Sequence, residues 1–422
     1  MAGTGGSRSA AGTGAGGPRG TWLVFAAVVL IAFNLRTAVL GFVPVLDVIG
    51  DDLGYGTAAA GVLATIPTLV FGVMALAGPV LFRVAGGEMM LAASAAAMTV
   101  GIVLRSFAHD VWQLGLTFAI AMAGIGIANA VLVPVIKQYY AHRLGLMNGL
   151  YLSMMQIGPI AAPVIVAVMI ERDAGWRLAT GVWAIPAVLA LAAWAVQVVV
   201  VRRWDRDPAT GPIEQLTPEP RIRFGLLLRS RLAWGITGLF SMNALMTYTL
   251  QAQLPGLLTD AGFTLTFATT MLSIFAVLGT VGSLIGPAVT ARLARPYMLV
   301  ASLVTSILIG LLGLLLAPAA APVLWVVLIG VGLNNFPVAL TLMNLRSRTR
   351  AGAAGLSGFG QGVGYLVASV GPLGIGLARS VSHGWLLPVV LLMLTVPVSL
   401  VCGWLATRPR MIEDELPSGP AR

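Results

Sequence analysis

Residues 22–42 read WLVFAAVVLIAFNLRTAVLGF, and this stretch decides the class of fold. A helix of about 20 apolar residues is long enough to span the hydrocarbon core of a bilayer. The one charged residue of the stretch, Arg36, lies roughly 21 Å along such a helix from Trp22 and roughly 16 Å before Asp47. Its side chain therefore cannot reach water at either end, and an unpaired arginine at the bilayer centre costs about 2.5 kcal/mol or more. We predict that Arg36 faces a protein-lined cavity.

The partner of Arg36 is not evident from the sequence, because no Asp or Glu lies inside any apolar stretch of spanning length. One interpretation is that an anionic substrate supplies the negative charge. The other is a structural arginine, bonded to carbonyls or amides of neighbouring helices. Asn34 lies about 200° round the helix from Arg36, and we expect it to bond to another helix instead of facing the cavity.

The composition indicates a protein built for lipid. Hydrophobic residues make up 58% of the 422 residues, charged residues make up 9%, and the mean hydropathy is +0.93. A water-soluble domain of this size needs far more charge to cover its surface. The single cysteine and the absence of a Cys/His cluster provide no metal site. We predict no cofactor and no enzyme activity.

Twelve apolar stretches of spanning length are separated into two sets of six by a basic, proline-containing segment at residues 202–231. The predicted organisation is a disordered cytoplasmic tail (1–21), two six-helix bundles (22–201 and 232–406) joined by a cytoplasmic loop (202–231), and a second tail (407–422). With the N-terminus inside, 20 of the 25 Lys and Arg residues lie in inner loops and tails and four in outer loops, Arg105 among the four. The positive-inside rule then places both termini in the cytoplasm. The basic pI of about 10.7 is thus explained by topology, and we expect no nucleic-acid partner.

The two halves share landmarks in the same order. Sequence pairs with nearly constant spacing are Asp52-Leu-Gly54 with Asp260-Ala-Gly262, Gly78-Pro79 with Gly286-Pro287, and Gly175-Trp176 with Gly384-Trp385. This duplication resembles the parallel six-plus-six repeat of major facilitator transporters. The resemblance implies an all-α polytopic membrane protein with 12 transmembrane helices in two pseudo-symmetric bundles, and a substrate site between the halves near the middle of the bilayer.

Several uncharged polar residues fall within the predicted spans. As substrate-binding residues beside Arg36 we predict Tyr151, Gln156, Gln361, Tyr365, Asn129 and Asn335, with Asn243, Tyr248 and Gln251 as further candidates of the same kind. The alternative for each is a structural role, since polar side chains and small residues commonly hold membrane helices together. Because no Asp, Glu or His lies within the spans, uniport, anion exchange or potential-driven movement is as compatible with the sequence as proton symport.

A second group of residues lies at the cytoplasmic helix ends, and we predict a gating role for Gly78, Arg83, Lys137, Arg292 and Arg346. The loop signature of major facilitators has an acid before the arginine, whereas this chain has Phe82 before Arg83. A charge network that requires that acid is therefore not expected in its usual form.

An ordered set of motifs resembles the cyanate porter (CynX/NimT) family of major facilitators. The matching stretches are Asn34-Leu-Arg36, Leu63-Ala-Thr-Ile-Pro67, Gly124-Ile-Gly126-Ile-Ala-Asn129, Gly175-Trp-Arg177 and Gly355-Leu-Ser-Gly-Phe-Gly-Gln361-Gly-Val-Gly-Tyr365. The resemblance covers both halves, from about residue 30 to residue 406. It implies a multi-pass transporter of the prokaryotic inner membrane for cyanate, 2-nitroimidazole or a similar small polar solute, and it makes Arg36 the family's helix-one arginine. We expect a monomer.

Two other functions remain open at this point. The same fold serves efflux pumps for drugs or metabolites, although a buried arginine disfavours hydrophobic cations. A transporter-like membrane sensor is the alternative from a different class. The actual substrate, the direction of transport, the energy coupling and the oligomeric state are not determined by the sequence.

Overall fold

The computed structural model describes residues 21–140, 144–204 and 224–415, and the described residues form helices and connecting turns without a strand. Residues 1–20 of the predicted N-terminal tail and most of the predicted central loop lie outside the described residues, and Thr21, predicted to end that tail, is the first residue of a helix. The first half contains a 3-10 helix at Val43–Val45 and the α-helices α1 (Thr21–Leu40), α2 (Leu46–Leu53), α3 (Thr57–Ala85), α4 (Gly87–Arg105), α5 (Val111–Tyr139), α6 (Leu144–Glu171), α7 (Gly175–Gly181) and α8 (Ala184–Trp204). The second half contains α9 (Phe224–Leu227), α10 (Arg231–Asp260), α11 (Leu265–Arg292), α12 (Pro296–Leu316), α13 (Pro322–Gly332), α14 (Asn335–Leu345), α15 (Arg350–Ala368), α16 (Val370–Ser382), α17 (Leu386–Met393), α18 (Thr395–Thr407) and α19 (Ile412–Glu415).

Eleven helical stretches of the described chain are long and apolar enough to cross a membrane. The stretch predicted to be the seventh span, α10, is not among them because polar side chains such as Asn243, Thr247 and Gln251 interrupt its apolar sequence. At 30 residues it is nevertheless about 45 Å long, more than the thickness of the hydrocarbon core. The predicted all-α polytopic membrane fold is confirmed, and α10 is its least apolar long helix.

Prolines account for two of the places where a predicted span divides into two helices. Proline has no N–H, so the carbonyl four residues earlier loses its helical hydrogen-bond donor. Pro337 follows the break between α13 and α14, and Pro372 follows the break after Ala368 between α15 and α16. Local chain chemistry thus explains why these spans consist of two helices each.

The landmarks of the internal duplication contact each other in the structure. In the first half, the indole Nε1 of Trp176 donates to Asp52 at 2.9 Å; in the second half, that of Trp385 donates to Asp260 at 2.8 Å. Each aspartate is followed two residues later by a glycine with positive φ, 72° at Gly54 and 92° at Gly262, a conformation that favours glycine. The two copies therefore build the same corner, which we call the acidic end of the bundle (Asp47, Asp52 and Asp260).

The two halves pack against each other along two seams, α3 with α15 and α16, and α6 with α11. On the first seam a Cβ at Gly61 would lie 2.8 Å from the Cα of Gly376, so the two helices touch through their backbones near the acidic end. On the second seam both carboxylate oxygens of Glu171 accept hydrogen bonds from Thr266, from its backbone N–H at 2.8 Å and from its hydroxyl. The halves are consequently in close contact at the acidic end.

Arg105, assigned to an outer loop from the sequence, is instead the last residue of α4 and is fully buried. Its guanidinium lies 4.1 Å from the ring centroid of Phe42 and donates to the carbonyls of Ala38, at 3.4 Å, and Thr180, at 3.3 Å. Both carbonyls belong to the last turns of helices, where intrahelical donors are missing and a cation is favourable. Arg36 is therefore not the only arginine that the bundle encloses, and the assignment of Arg105 to a loop is wrong.

The opposite end, which we call the basic end (Arg292, Arg346 and Arg348), is fastened by the short C-terminal helix α19. The carboxylate of Glu413 accepts hydrogen bonds from the backbone N–H groups of Arg348 and Thr349, each at 3.0 Å, at the start of α15. Glu415 accepts from the hydroxyl of Ser230 at 2.7 Å and from the backbone N–H of Leu232 at 3.1 Å, at the start of α10. The acidic residues of α19 thus satisfy orphan donors at two helix N-termini.

Candidate functional site

Arg36 extends from the first half of the chain to the second. It lies on α1 and is partly buried, and its Nη1 donates a hydrogen bond to the hydroxyl of Tyr248 on α10 at 3.2 Å. Within the described residues the guanidinium makes no hydrogen bond to a backbone carbonyl. Asn34, in contrast, donates to the carbonyl of Leu30 in its own helix at 2.7 Å, so the predicted interhelical hydrogen bond is wrong.

Three tyrosines lie near this guanidinium. The hydroxyl of Tyr248 accepts its hydrogen bond, and the phenol groups of Tyr365 and Tyr151 lie within electrostatic range; the three residues come from α10, α15 and α6. The ring of Phe71, on α3, lies 6.3 Å from that of Tyr248 and 5.9 Å from that of Tyr365, edge to face in both cases. We call these five side chains the Arg36 cluster; they join three helices of the first half to two of the second.

The Arg36 cluster contains one cation and no carboxylate. In the described part of the chain, the ion pairs of the acidic end use Arg177 and Arg379, and the ion pair of α19 uses Arg348. A tyrosine hydroxyl can donate one hydrogen bond and can also accept hydrogen bonds, whereas a guanidinium only donates. The cluster is therefore rich in hydrogen-bond donors and has no fixed negative charge to balance Arg36.

Two of the predicted glutamines lie on helices of the cluster but have other partners. Gln156, on α6, donates from Nε2 to the hydroxyl of Thr280 on α11 at 2.9 Å, which is a contact between the halves. Gln361, one helical turn before Tyr365, donates to the hydroxyl of Ser357 in its own helix at 2.7 Å. Both side chains are partly buried, and neither contacts Arg36 through a hydrogen bond.

The two predicted asparagines are not part of the Arg36 cluster. Asn335 is 1% exposed and, with Asn243, lines a cavity of about 10 Å³ inside the second half. Nδ2 of Asn243 donates to the carbonyl of Leu333, between α13 and α14, and Nδ2 of Asn335 donates to that of Gly332, the last residue of α13. Within the described residues, the Oδ1 atoms of both are buried without a partner. Asn129, on α5, has an exposed side chain. The structure therefore brings together Arg36, Tyr151 and Tyr365, but not Asn129 or Asn335.

Of the residues predicted to gate the pathway, the surroundings of Gly78 and the side chains of Arg83 and Lys137 lie outside the described part. Arg292 ends α11 with an exposed side chain. Arg346 follows α14 and donates to the carbonyls of Ala406, at 3.3 Å, and Thr407, at 2.6 Å, at the end of α18. In this conformation Arg346 thus caps a helix of its own half.

Phe71 is the residue of the cluster that was not predicted from the sequence. Tyr248 was predicted only as a further candidate among the polar residues of the spans. The composition of α10 could have indicated its importance. A membrane span that contains Asn, Thr, Tyr and Gln is expected to turn these polar side chains towards the protein interior and away from lipid. The rotation of each helix, which decides which of these side chains face Arg36, is not contained in that signal.

The chain forms a duplicated helical bundle with an arginine–tyrosine cluster between its halves, and known proteins share this helical architecture. The profile of the Major Facilitator Superfamily matches residues 24–372. The chain belongs to this superfamily. It is therefore a multi-pass membrane protein, and the resemblance to major facilitators drawn from its repeat is confirmed.

Curated relatives match nearly the whole chain. The uncharacterized transporter YycB of Bacillus subtilis is 31% identical over 93% of this chain and 94% of its own. The cyanate transport protein CynX of Escherichia coli is 28% identical over 85% of this chain and 91% of its own, and the 2-nitroimidazole transporter of the same organism is 28% identical over 87% and 91%. The resemblance to the cyanate porter family is thus confirmed, and the chain is a transporter of a small-molecule solute and not an enzyme.

A solved structure gives independent support for the fold. A bacterial homologue of the human lysosomal transporter Spinster, in its inward-facing and unoccupied conformation, superimposes with a TM-score of 0.73. The alignment covers 96% of this chain and 99% of the other, at 13% identity. At that identity the similarity establishes the architecture alone.

Proposed function

We propose that this transporter carries a small anion or an electron-rich planar solute, held between the halves by the Arg36 cluster. The observation that carries the proposal is a partly buried guanidinium, bonded across the interface to Tyr248, with no carboxylate beside it in the described residues. A bound anion would balance the charge of Arg36. The planar guanidinium would also suit a carboxylate-like or nitro-like group, which it can contact through two parallel N–H donors.

The aromatic side chains of the cluster suit a small and flat solute. Phe71, Tyr248 and Tyr365 are mutual edge-to-face neighbours with ring centroids 5.9 to 6.3 Å apart. Aromatic rings provide apolar surfaces at little conformational cost, and the tyrosine hydroxyls add orientation. Cyanate and 2-nitroimidazole, the solutes in the names of two relatives, are both small, and each has electronegative atoms that can accept hydrogen bonds. We therefore extend these solute classes to this chain.

We further propose that the acidic end faces the outside of an inner (cytoplasmic) membrane, with both termini in the cytoplasm and a single chain as the working unit. The basis for the orientation is the excess of Lys and Arg in the segments next to the basic end. With the halves in contact at the acidic end, the conformation described here would then be closed to the outside. Alternating access would follow from rocking of one half against the other.

A thermal-shift screen of the purified protein tests the substrate class. A ligand that binds only the folded state raises stability by about 2.7 kcal/mol when its concentration is 100 times Kd. We expect cyanate, nitrate, a small carboxylate or 2-nitroimidazole to raise Tm in the wild type but not in Arg36→Ala. The matched control is Arg177→Ala, which removes the same charge from a pair with Asp52 at the acidic end and should keep the shift.

Two results would contradict the proposal. An equal shift in Arg36→Ala would show that the anion binds elsewhere. Stabilisation by hydrophobic cations, with no response to anions, would favour the efflux function instead.

Uptake into proteoliposomes by the Arg36→Lys variant separates the effect of charge from that of shape. We expect about tenfold weaker transport, because lysine keeps the charge but loses the planar set of donors.

A further inference from the structure

Arg379, at the acidic end, joins the two halves. It lies on α16 of the second half, and its Nη1 is 2.6 Å from Asp47 on α2 of the first half. Its Nη2 is 3.2 Å from Asp260, at the end of α10 in its own half. The side chain of Arg379 is 13% exposed, against 35% for Asp47 and 54% for Asp260. One enclosed arginine therefore serves one carboxylate from each half.

The internal duplication shows that this arrangement is particular to the second copy. In the first copy, Asp52 is bonded to Trp176 and to the next residue, Arg177, at 2.8 Å, so the corner is complete within the first half. In the second copy the residue after Trp385 is Leu386. Asp260 instead obtains its arginine from α16, and that arginine is shared with Asp47 across the interface.

The surrounding backbone is shaped around this shared arginine. A Cβ at Gly256 would lie 2.8 Å from Oδ2 of Asp47 and 3.0 Å from Nη1 of Arg379, so glycine leaves room for the pair against α10. The guanidinium also lies 4.3 Å from the ring centroid of Trp385. Gly376, which contacts the backbone of Gly61 across the seam, is one helical turn before Arg379. The ion pair thus lies directly beside a point where the backbones of the two halves approach each other closely.

We propose that Arg379 is a latch. Its ion pairs hold the acidic end closed, and it keeps one carboxylate partner when that end opens. In the closed state it pairs with both Asp47 and Asp260. When the halves separate, Asp47 moves away with the first half, while Arg379 keeps its pair with Asp260 and its stacking on Trp385. Because a partner remains, opening does not leave an enclosed arginine unpaired, which would be costly.

The proposal predicts how each of three aspartate variants changes the population whose acidic end is open. Asp47→Asn weakens the closed state alone and should raise the population with an open acidic end about fivefold, the effect of a partly exposed ion pair of ordinary strength. Asp260→Asn removes a pair that is present in both states, but only in the open state does it leave Arg379 without any carboxylate, so it should lower that population. Asp52→Asn is the matched control, because it breaks the corresponding pair within the first half and should change nothing.

The population is measured by the rate at which a thiol reagent modifies a buried cysteine on α3. Ala64→Cys in a Cys402→Ser background suits this purpose: Ala64 is 1% exposed and lies two helical turns from Phe71, towards the acidic end. When opening is fast relative to modification, the rate is proportional to the open population, even where that population is small. The purified protein is used without substrate, so the outcome does not depend on the proposed anion site.

The proposal is overturned if Asp47→Asn is modified at the wild-type rate, or if Asp52→Asn accelerates modification as much as Asp47→Asn. Size-exclusion chromatography of each variant verifies that it is folded. If Asp47→Asn does not fold, Arg379→Gln provides the second test, because it removes both pairs and should also accelerate modification. A wild-type rate in that variant would equally contradict the latch.

Discussion

The substitution Gly376→Ala tests whether the seam between α3 and α16 must open during transport. A Cβ at position 376 would lie 2.6 Å from the Cα of Gly61 and 3.2 Å from both the backbone N of Gly61 and the carbonyl oxygen of Thr57. Non-bonded carbon atoms are normally about 3.5 to 4.0 Å apart, so the two helices must separate by about 1 Å at this point. The obstructing atoms belong to the backbone and cannot turn aside.

The magnitude follows from the cost of overpacking, typically about 1 to 3 kcal/mol. The gain in helix propensity from Gly to Ala, about 1 kcal/mol, applies equally to both conformations because residue 376 is helical in each. Since 1.4 kcal/mol is a factor of ten, the open population should rise about 5- to 150-fold. Modification of the cysteine in Ala64→Cys should accelerate by the same factor.

The matched control is Gly374→Ala, on the same helix, where an added Cβ meets no atom within 4 Å. It carries the same change in helix propensity without the collision, and we expect the wild-type rate of modification. If Gly376→Ala and Gly374→Ala are modified equally fast, the seam does not control access to α3, and the reasoning is refuted.

Further predictions concern the Arg36 cluster and the C-terminal helix. Tyr248→Phe removes the hydroxyl bonded to Arg36 and should weaken solute binding about tenfold in a calorimetric titration, whereas Tyr55→Phe, whose hydroxyl bonds to a backbone carbonyl at the acidic end, should bind normally. Glu413→Ala leaves the start of α15 without its acceptor and should lower the free energy of unfolding by about 1 to 2 kcal/mol, seen as a lower Tm; an unchanged Tm would show that α19 does not fasten the basic end. Although burial opposes ionisation of Glu413, the hydrogen bonds from the backbone N–H groups at the start of α15 outweigh it and hold the pKa of this carboxyl below its usual value. Its contribution is therefore present above about pH 4 and lost as the pH falls through the lowered pKa, so the difference in Tm between wild type and Glu413→Ala should shrink in that acid range and persist at neutral pH.

The sequence alone determined the class of fold and its duplication. Spanning length and apolar composition are properties of short contiguous stretches, and so they can be detected without knowing how helices pack. The matched Asp-x-Gly and Gly-Trp landmarks located the corner that each half builds at the acidic end, and the structure joins them through the Trp176–Asp52 and Trp385–Asp260 hydrogen bonds. Arg36 stood out for a similarly local reason, because a charge inside an apolar stretch is costly wherever the helix is placed.

Only the tertiary structure decided which side chains meet. Arg36 and Tyr248 are 212 residues apart in the sequence, and Arg379 and Asp47 are 332 apart. The buried position of Arg105 depends in the same way on how α4 lies beside α1 and α7. Such contacts are set by the rotation and mutual depth of helices, and in a span that is apolar on every side the sequence gives little periodic signal to fix that rotation. Close packing between the halves fixes the rotation and depth of the helices. Backbone contacts such as that of Gly61 with Gly376 allow only a narrow range of helix positions.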